Sequence, residues 1–250
     1  QSDWEGLANS LRAGVNHGHS GTPFHATDVG GFYGATQPEP SLYLRWVQAA
    51  VFASHFRIHG IGAREPWCFG KDAERIAREF FEIRYKLLPY LRGACDLAVK
   101  TGLPVMRSMA LTHADGRIAR SFELQFYCGP HLLVMPVLNA GGDVEGYLPD
   151  HPGGWFDLWS GMHVDGGEVI TLNYDLERIP VFVKAGTALA IGPVVQSTRP
   201  LEGLTPVVAV AEFGRSANGR YEVCCRDQAC VRDGADWRSY GQRIMNVKRF

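Results

Sequence analysis

The sequence lacks the features that mark several large classes of protein. None of its apolar runs reaches the roughly 18 residues that a membrane-spanning helix needs. Lys and Arg number 25 against 26 Asp and Glu, and the resulting net charge of -1 offers no positive field to phosphates or anionic lipid. We therefore expect neither nucleic acid nor a membrane as a partner.

The motifs of common catalytic and cofactor sites are missing too. The six cysteines contain no Cys-x-x-Cys pair, which argues against a zinc ribbon or a redox dithiol and favours a reducing compartment, the cytoplasm. No Gly-x-Ser-x-Gly nucleophile elbow occurs, and the glycines around Gly30 have no phosphate-loop spacing. His55 and His59 stand four apart, but no Glu lies between them and Gly60 ends the pattern. We predict no metal and no cofactor.

The chain does have enough apolar sequence for a full core. It is 250 residues long and 46% hydrophobic, which excludes a disordered chain and allows one large domain or two smaller ones. The first residues, from Gln1 to Trp4, have neither an initial Met nor the charged-then-apolar order of a signal peptide. This start predicts a processed or truncated product.

Residues 1–103 alternate helical patterns with short strands. Apolar spacing predicts three helices, capped by Asp3, Ser41 and Asp72, the third about 30 residues long with Pro89 inside it. Extended segments at 22–29 and 56–59 separate them. Alternating strands and helices, with one helix suited to the outside of a large barrel, indicate an α/β fold.

The hydrophobic period changes from 3.6 to 2 after residue 103. Short apolar runs broken by paired glycines predict an antiparallel β-sandwich over residues 104–193. Residues 194–250 begin strand-like, through Val207–Val210 and Tyr221–Val223, and then become rich in Arg, Cys and Asp with little pattern.

Polar and aromatic residues gather where the two predicted barrel strands end. Asp28 closes one strand, with Phe32 following after two glycines, and Arg57 and His59 close the next. Consecutive strand ends share one mouth of a barrel, so we expect these side chains to meet. Charged groups that fix hydroxyls and a ring that stacks on a pyranose suit a sugar. The alternative is structural: Asp28 braces the Gly-Gly turn and His59 is a core histidine.

The order of short motifs over residues 1–193 resembles the carboxy-terminal part of glycoside hydrolase family 31. The resemblance is carried by these segments: Trp4-Glu5-x-Leu7-x-x-Ser10, Asp28-Val29-Gly30-Gly31-Phe32, Arg57-Ile58-His59-Gly60, Arg64-Glu65-Pro66-Trp67, Arg84-Tyr85-x-Leu87-Leu88-Pro89-Tyr90-Leu91, Met135-Pro136-Val137-Leu138, Gly154-Trp155-Phe156-Asp157-Leu158-Trp159-Ser160-Gly161 and Ile179-Pro180-Val181-Phe182-Val183-Lys184-Ala185-Gly186. It implies the last part of a (β/α)8 TIM barrel (1–103), a proximal β-sandwich (104–193) and a partial distal β domain (194–250).

The resemblance also implies roles for single residues. His59 matches a histidine that hydrogen-bonds the bound sugar, Phe32 matches an aromatic of the pocket wall, Asp28 matches an acid that braces or contacts that sugar, and Arg57 orients a carboxylate. Family members use two catalytic carboxylates, and the resemblance places both before Gln1. No catalytic residue is therefore assigned in this chain, and Asp3, which matches a variable position, is not taken as one. Trp67 is expected either at the entrance or in the core.

The activity implied by the resemblance is hydrolysis of α-glycosides with net retention. The Arg-x-His-Gly and Arg-Glu-Pro-Trp motifs resemble those of the α-xylosidase branch of the family. The expected substrate is therefore the terminal α-xylosyl residue of an oligosaccharide. An α-glucosidase or transglucosylase is the alternative, and a non-catalytic carbohydrate-binding protein is the alternative of another class. Self-association into a homo-oligomer stays open.

Overall fold

The computed structural model describes residues 1–34, 37–201, 206–214, 220–226, 230–240, 242–247 and 250. Three long helices, α1 (Trp4–His19), α2 (Pro40–Ala50) and α3 (Lys71–Thr101), pack with two short parallel strands, β1 (Asp28–Val29) and β2 (Arg57–Ile58). Asp28 pairs with Arg57 and Val29 with Ile58. Among the described residues, no helix has the length and apolar character needed to cross a bilayer.

The predicted helices are present, but two of their caps were wrong. Asp3 does cap α1, accepting the amide of Gly6 at 2.6 Å. The N-cap of α2 is Glu39 rather than Ser41, because Pro40 occupies the first turn, where its missing N–H costs nothing. The N-cap of α3 is Gly70 rather than Asp72, which lies inside the first turn. The extended segment predicted at 22–29 shortens to the two residues of β1.

The proximal part of the chain is a sandwich of two antiparallel sheets. The larger sheet has the strand order β3-β4-β5-β10-β7-β8, and the smaller pairs β6 with β9. The strands are β3 (Met106–Ser108), β4 (Phe126–Cys128), β5 (Leu132–Val134), β6 (Asp143–Leu148), β7 (Trp155–Asp157), β8 (His163–Val164), β9 (Glu168–Asn173) and β10 (Val181–Lys184). Two short helices, α4 (Met109–Thr112) and α5 (Arg117–Ser121), lie between β3 and β4.

Successive side chains of the central strands alternate between two hydrophobic cores, one shared with the helices and one between the two sheets of the sandwich. On β5, Leu132 and Val134 join the core shared with the helices, while Leu133 joins the core between the two sheets. On β10, Val181 and Phe182 divide in the same way. Since successive side chains point to opposite faces of a strand, a sheet buried on both sides reads as continuously apolar.

A second six-stranded sheet follows, with the order β13-β11-β12-β16-β15-β14 and parallel as well as antiparallel pairs. Its strands are β11 (Thr187–Ile191), β12 (Ala209–Phe213), β13 (Glu222–Val223), β14 (Val231–Asp233), β15 (Asp236–Ser239) and β16 (Gln242–Val247). The stretch expected to lose its pattern therefore contains the last three strands. The boundary near residue 193 stays a prediction, although β11 lies before it and pairs with β12 beyond it.

Helix α3 forms hydrogen bonds with residues in or next to both six-stranded sheets. The hydroxyl of Tyr90 donates to the carbonyl of Cys128 at 2.6 Å and accepts the amide of His131 at 3.0 Å. Beside Pro89, which cannot donate within the helix, the amide of Gly192 supplies a hydrogen bond to the carbonyl of Lys86 at 2.8 Å. The long helix thus forms one body with the proximal and distal sheets.

We predict that buried His131 makes the contact between the two six-stranded sheets sensitive to acid. Burial, together with the positive charges of nearby Lys184 and Arg107 and the neighbouring His151, lowers its pKa to about 3; Glu222 lies 3.6 Å from its Nδ1 atom. The unfolded chain binds this proton near pH 6.5 and the folded chain does not, so stability is lost as the pH falls below 6.5. Between pH 6 and pH 5 we expect His131 to remove about 1 kcal/mol of unfolding free energy.

Urea unfolding at several pH values would measure this loss, with a His131→Gln variant showing a flatter profile over the same range. His163, which is half-exposed, offers the matched control, and His163→Gln should retain the wild-type slope. Equal slopes for the wild type and His131→Gln would contradict the prediction.

Candidate functional site

The pairing of β1 with β2 brings the charged residues of the predicted site together. Arg57 donates through Nε to Oδ1 of Asp28 at 2.7 Å, and its Nη2 atom forms an ion pair with the same oxygen. The Asp28 side chain is only 20% exposed, whereas that of Arg57 is 59% exposed. The guanidinium therefore covers the carboxylate from the solvent side and fixes its orientation. Asp28 does not brace the Gly-Gly turn with its side chain, since its hydrogen bond with that turn runs through its backbone carbonyl to Gly31.

The aromatic residues of the site also meet. The rings of Phe32 and His59 have centroids 5.2 Å apart at an interplanar angle of 41°. A hydrogen bond from the amide of Ile61 to the carbonyl of Phe32, 3.1 Å long, ties the turn after β2 to the turn after β1. His59 is exposed, so its alternative reading as a core histidine was wrong. The imidazole is open to a ligand.

An open pocket of about 440 Å³ lies beside these turns. It has a polar rim and an aromatic wall. Its lining residues are Gln1, Gly6, Asn9, Ser10, Ala26, Thr27, Asp28, Gly31, Phe32 and Trp46. Of the predicted residues, Asp28 and Phe32 line it directly, Arg57 reaches it through Asp28, and His59 adjoins it through Phe32. A pocket of this size accommodates one or two sugar rings.

A hydrogen-bonded group under the pocket escaped the sequence analysis. Thr27 Oγ1 accepts the indole N–H of Trp46 at 2.9 Å and also contacts the hydroxyl of Ser10. This group links α1, β1 and α2 beneath Asp28. Thr27 stands directly before Asp28, the first residue of β1, and its position in the extended segment predicted at 22–29 was the one available signal.

Arg64 is the second residue whose position the sequence analysis missed. An arginine after a strand is usually exposed, yet Arg64 is 3% exposed. Its guanidinium donates to the carbonyl of Gly31 at 3.1 Å and to the hydroxyl of Ser2 at 3.0 Å. Trp67, three residues later, is 66% exposed, which excludes its predicted core role and leaves the entrance role as a prediction.

The acid nearest the start of the chain has a structural role. Asp3 caps α1 by accepting the amide of Gly6 with its carboxylate, and it is not among the residues that line the pocket. Over the described ranges, no group of three or more His, Cys, Asp or Glu is arranged to hold a metal ion. The side chains gathered at the pocket supply hydrogen bonding and ring stacking.

The fold and the site together define a class of protein in which parallel strand ends carry a polar pocket and are followed by a β-sandwich and a further six-stranded sheet. The TIM-barrel domain of glycosyl hydrolases family 31 matches residues 1–94, and the C-terminal domain of the same family matches residues 102–189. The chain belongs to glycoside hydrolase family 31. The resemblance over residues 1–193 is thereby confirmed.

Relatives with curated names include two specificities. The chain is 35% identical over 227 residues to alpha-glucosidase 2 of Bacillus thermoamyloliquefaciens, covering 89% of this chain and 28% of that protein. It is 32% identical over 194 residues to an alpha-xylosidase of Saccharolobus solfataricus, covering 76% of this chain and 26% of that protein. The chain thus spans between a quarter and a third of the length of these relatives.

Similar solved structures also include enzymes of different specificity. A dextranase of Flavobacterium johnsoniae, complexed with glucose, superposes with a TM-score of 0.77 at 35% identity over 84% of this chain and 26% of that one. An alpha-xylosidase from a soil metagenome, complexed with xylose, gives a TM-score of 0.70 at 34% identity over 74% of this chain and 31% of that one. Both share the family, and each binds a different sugar.

Proposed function

We propose that this chain is the carboxy-terminal part of a retaining α-glycosidase that hydrolyses terminal α-xylosyl residues of oligosaccharides. The observation that carries the proposal is the meeting of Asp28, Arg57, Phe32 and His59 at two adjacent parallel strand ends in a family 31 chain. The pocket supplies sugar recognition, and the two catalytic carboxylates belong to the part of the enzyme that precedes these residues in its relatives.

Each side chain has a distinct part in the proposed reaction. Asp28, oriented by Arg57, accepts a sugar hydroxyl in a charge-assisted hydrogen bond. His59 hydrogen-bonds a second hydroxyl through its exposed imidazole, and Phe32 places an apolar surface against a C–H face of the ring. Hydrogen bonds that tighten as the ring flattens towards an oxocarbenium ion lower the barrier more than they improve ground-state binding.

An α-glucosidase or transglucosylase is the second candidate, and one observation favours it. The first of the relatives described above is an alpha-glucosidase that aligns over 89% of this chain. Initial rates on 4-nitrophenyl α-xyloside and α-glucoside, measured with the full-length protein that carries this chain, separate the two. A higher kcat/KM for the xyloside supports the proposal, and a higher value for the glucoside replaces it with the second candidate.

His59→Ala tests the pocket directly. Losing one hydrogen bond to a sugar hydroxyl should lower kcat/KM by about 10- to 100-fold in the full-length protein, with the larger share in kcat if the bond strengthens in the transition state. Steady-state kinetics on the preferred aryl glycoside give both parameters.

The matched control is His55→Ala, because His55 is also exposed and lies four residues earlier, where its ring faces Phe24 at a centroid distance of 5.9 Å. This control should retain its kcat/KM to within about twofold, since surface substitutions usually have small effects. Wild-type kinetics for His59→Ala would remove His59 from the proposed site.

A further inference from the structure

Arg64 occupies the centre of a contact between three separate segments of the chain. Its Nε atom donates to the carbonyl of Gly31 in the turn after β1, and its Nη2 atom donates to the hydroxyl of Ser2 before α1. The third nitrogen, Nη1, donates to the carbonyl of Ala63 at 3.0 Å, within the turn after β2. One guanidinium therefore holds all three segments.

The surrounding glycines show how closely these segments enclose the side chain. A Cβ atom added at Gly30 would stand 2.8 Å from Cδ of Arg64, and one added at Gly60 would stand 3.0 Å from its Nε. Ser2 extends the contact by donating to the carbonyl of Tyr33 at 2.9 Å. Arg64 is buried among these segments, so its loss would remove the hydrogen bonds that join them.

The enclosed segments carry the proposed pocket residues. Phe32 follows Gly31 directly, and His59 stands immediately before Gly60 in the turn that Arg64 closes. We infer that Arg64 is a positioning residue that fixes the two pocket turns relative to the segment entering α1. This role extends the proposed function, on which its kinetic consequence rests.

The geometry of the contact requires an arginine. A guanidinium presents donors in several fixed in-plane directions, whereas the ammonium of a lysine is a single point on a flexible stem. A lysine at this position reaches one of the three acceptors at a time. Arg64→Lys therefore keeps the positive charge but removes the simultaneous hydrogen bonds to three acceptors. The variant distinguishes the effect of the charge from the effect of the bridging.

Misplacement of the segment before α1 has a specific kinetic signature. In the proposed enzyme, the family resemblance implies that the general acid, which protonates the leaving oxygen, lies shortly before this segment. A substrate with a good leaving group needs little protonation, whereas an alkyl glycoside depends on it. A variant that loosens this segment is expected to affect the alkyl glycoside more, but a general loss of folded protein affects both substrates equally.

The test compares Arg64→Lys and Ser2→Ala with a matched control in the full-length protein. The control is Arg45→Lys, because Arg45 is also buried and donates to backbone carbonyls, those of Tyr174 and Arg178, but lies away from the pocket turns. Hydrogen exchange of peptides covering residues 1–6, 30–34 and 58–63 reports the contact, and kcat/KM for a 4-nitrophenyl and an alkyl glycoside reports its consequence.

We expect Arg64→Lys to exchange faster in all three peptides and to lose about tenfold more activity on the alkyl than on the aryl substrate. Ser2→Ala should show a smaller effect of the same kind, and Arg45→Lys neither. Unchanged exchange in these peptides, or equal losses on both substrates, would overturn the inference. A parent enzyme inactive on every α-glycoside would refute the proposed function, and the exchange result alone would then decide the role of Arg64.

Discussion

Gly31→Ala is expected to lower the unfolding free energy by about 3 kcal/mol or more and to abolish most of the glycosidase activity proposed for the full-length protein. Two independent effects add at this position. The backbone has φ of +81°, which disfavours any residue with a Cβ atom, and the added atom would lie 2.3 Å from the carbonyl oxygen of Gln1. Because Phe32 is the next residue, the shift that relieves this overlap moves the wall of the pocket.

Gly21 provides a control that separates the two effects. Its φ of +79° is nearly the same, and no atom lies within 4 Å of a Cβ atom built there. Gly21→Ala should therefore show only the backbone term, about 1–2 kcal/mol, with normal activity. Urea unfolding and turnover of an aryl α-glycoside measure both variants. Equal destabilisation by the two substitutions would show that the segment at Gln1 does not press on the turn.

Trp155→Ala is expected to lower the unfolding free energy by about 3–5 kcal/mol, the usual range for truncating a buried tryptophan. The Trp155 side chain is fully buried between the two sheets of the proximal sandwich. Its indole N–H donates to the carbonyl of Pro149 at 2.8 Å, and its ring lies 6.1 Å from that of Tyr127. Removal leaves both a cavity and an unpaired buried carbonyl.

Trp155→Phe should recover roughly half of this loss, because it fills part of the cavity but still leaves the carbonyl without a donor. Trp67→Ala is the matched control: Trp67 is 66% exposed, and its removal should change stability by no more than about 0.5 kcal/mol. Thermal and urea melting curves of the full-length protein give the comparison. A loss below about 1 kcal/mol for Trp155→Ala would place the stability of the sandwich elsewhere.

Features carried by local periodicity could be predicted from the sequence. The stripe from Ile76 to Ala98 gave the long helix α3, and Asp3 gave the cap of α1, because both depend on residues a few positions apart. The meeting of Asp28 with Arg57 also followed, since consecutive parallel strands end at the same edge.

Features set by distant contacts could not be predicted. The burial of Arg64 depends on Ser2 and Gly31, which lie 62 and 33 residues away in sequence, and nothing adjacent to Arg64 indicates three acceptors. Strands β14 and β16 consist mostly of exposed residues, and β15 has only Trp237 and Ser239 buried, so the three strands carry too little apolar alternation for a sequence pattern to detect. Their form comes from pairing with one another and with β12.

The short connection between β10 and β11 has a practical consequence for shortening the protein. Only Ala185 and Gly186 separate the strands, and they are hydrogen-bonded to Gly154 of the proximal part and to Phe213 of the distal sheet. Ending the polypeptide at residue 193 would keep β11, whose five residues are all buried, and remove its partners β12 and β13. An apolar strand with two unpaired edges recruits other chains. Such a truncated product is expected to precipitate during expression, even though it retains all the strands of the proximal sandwich.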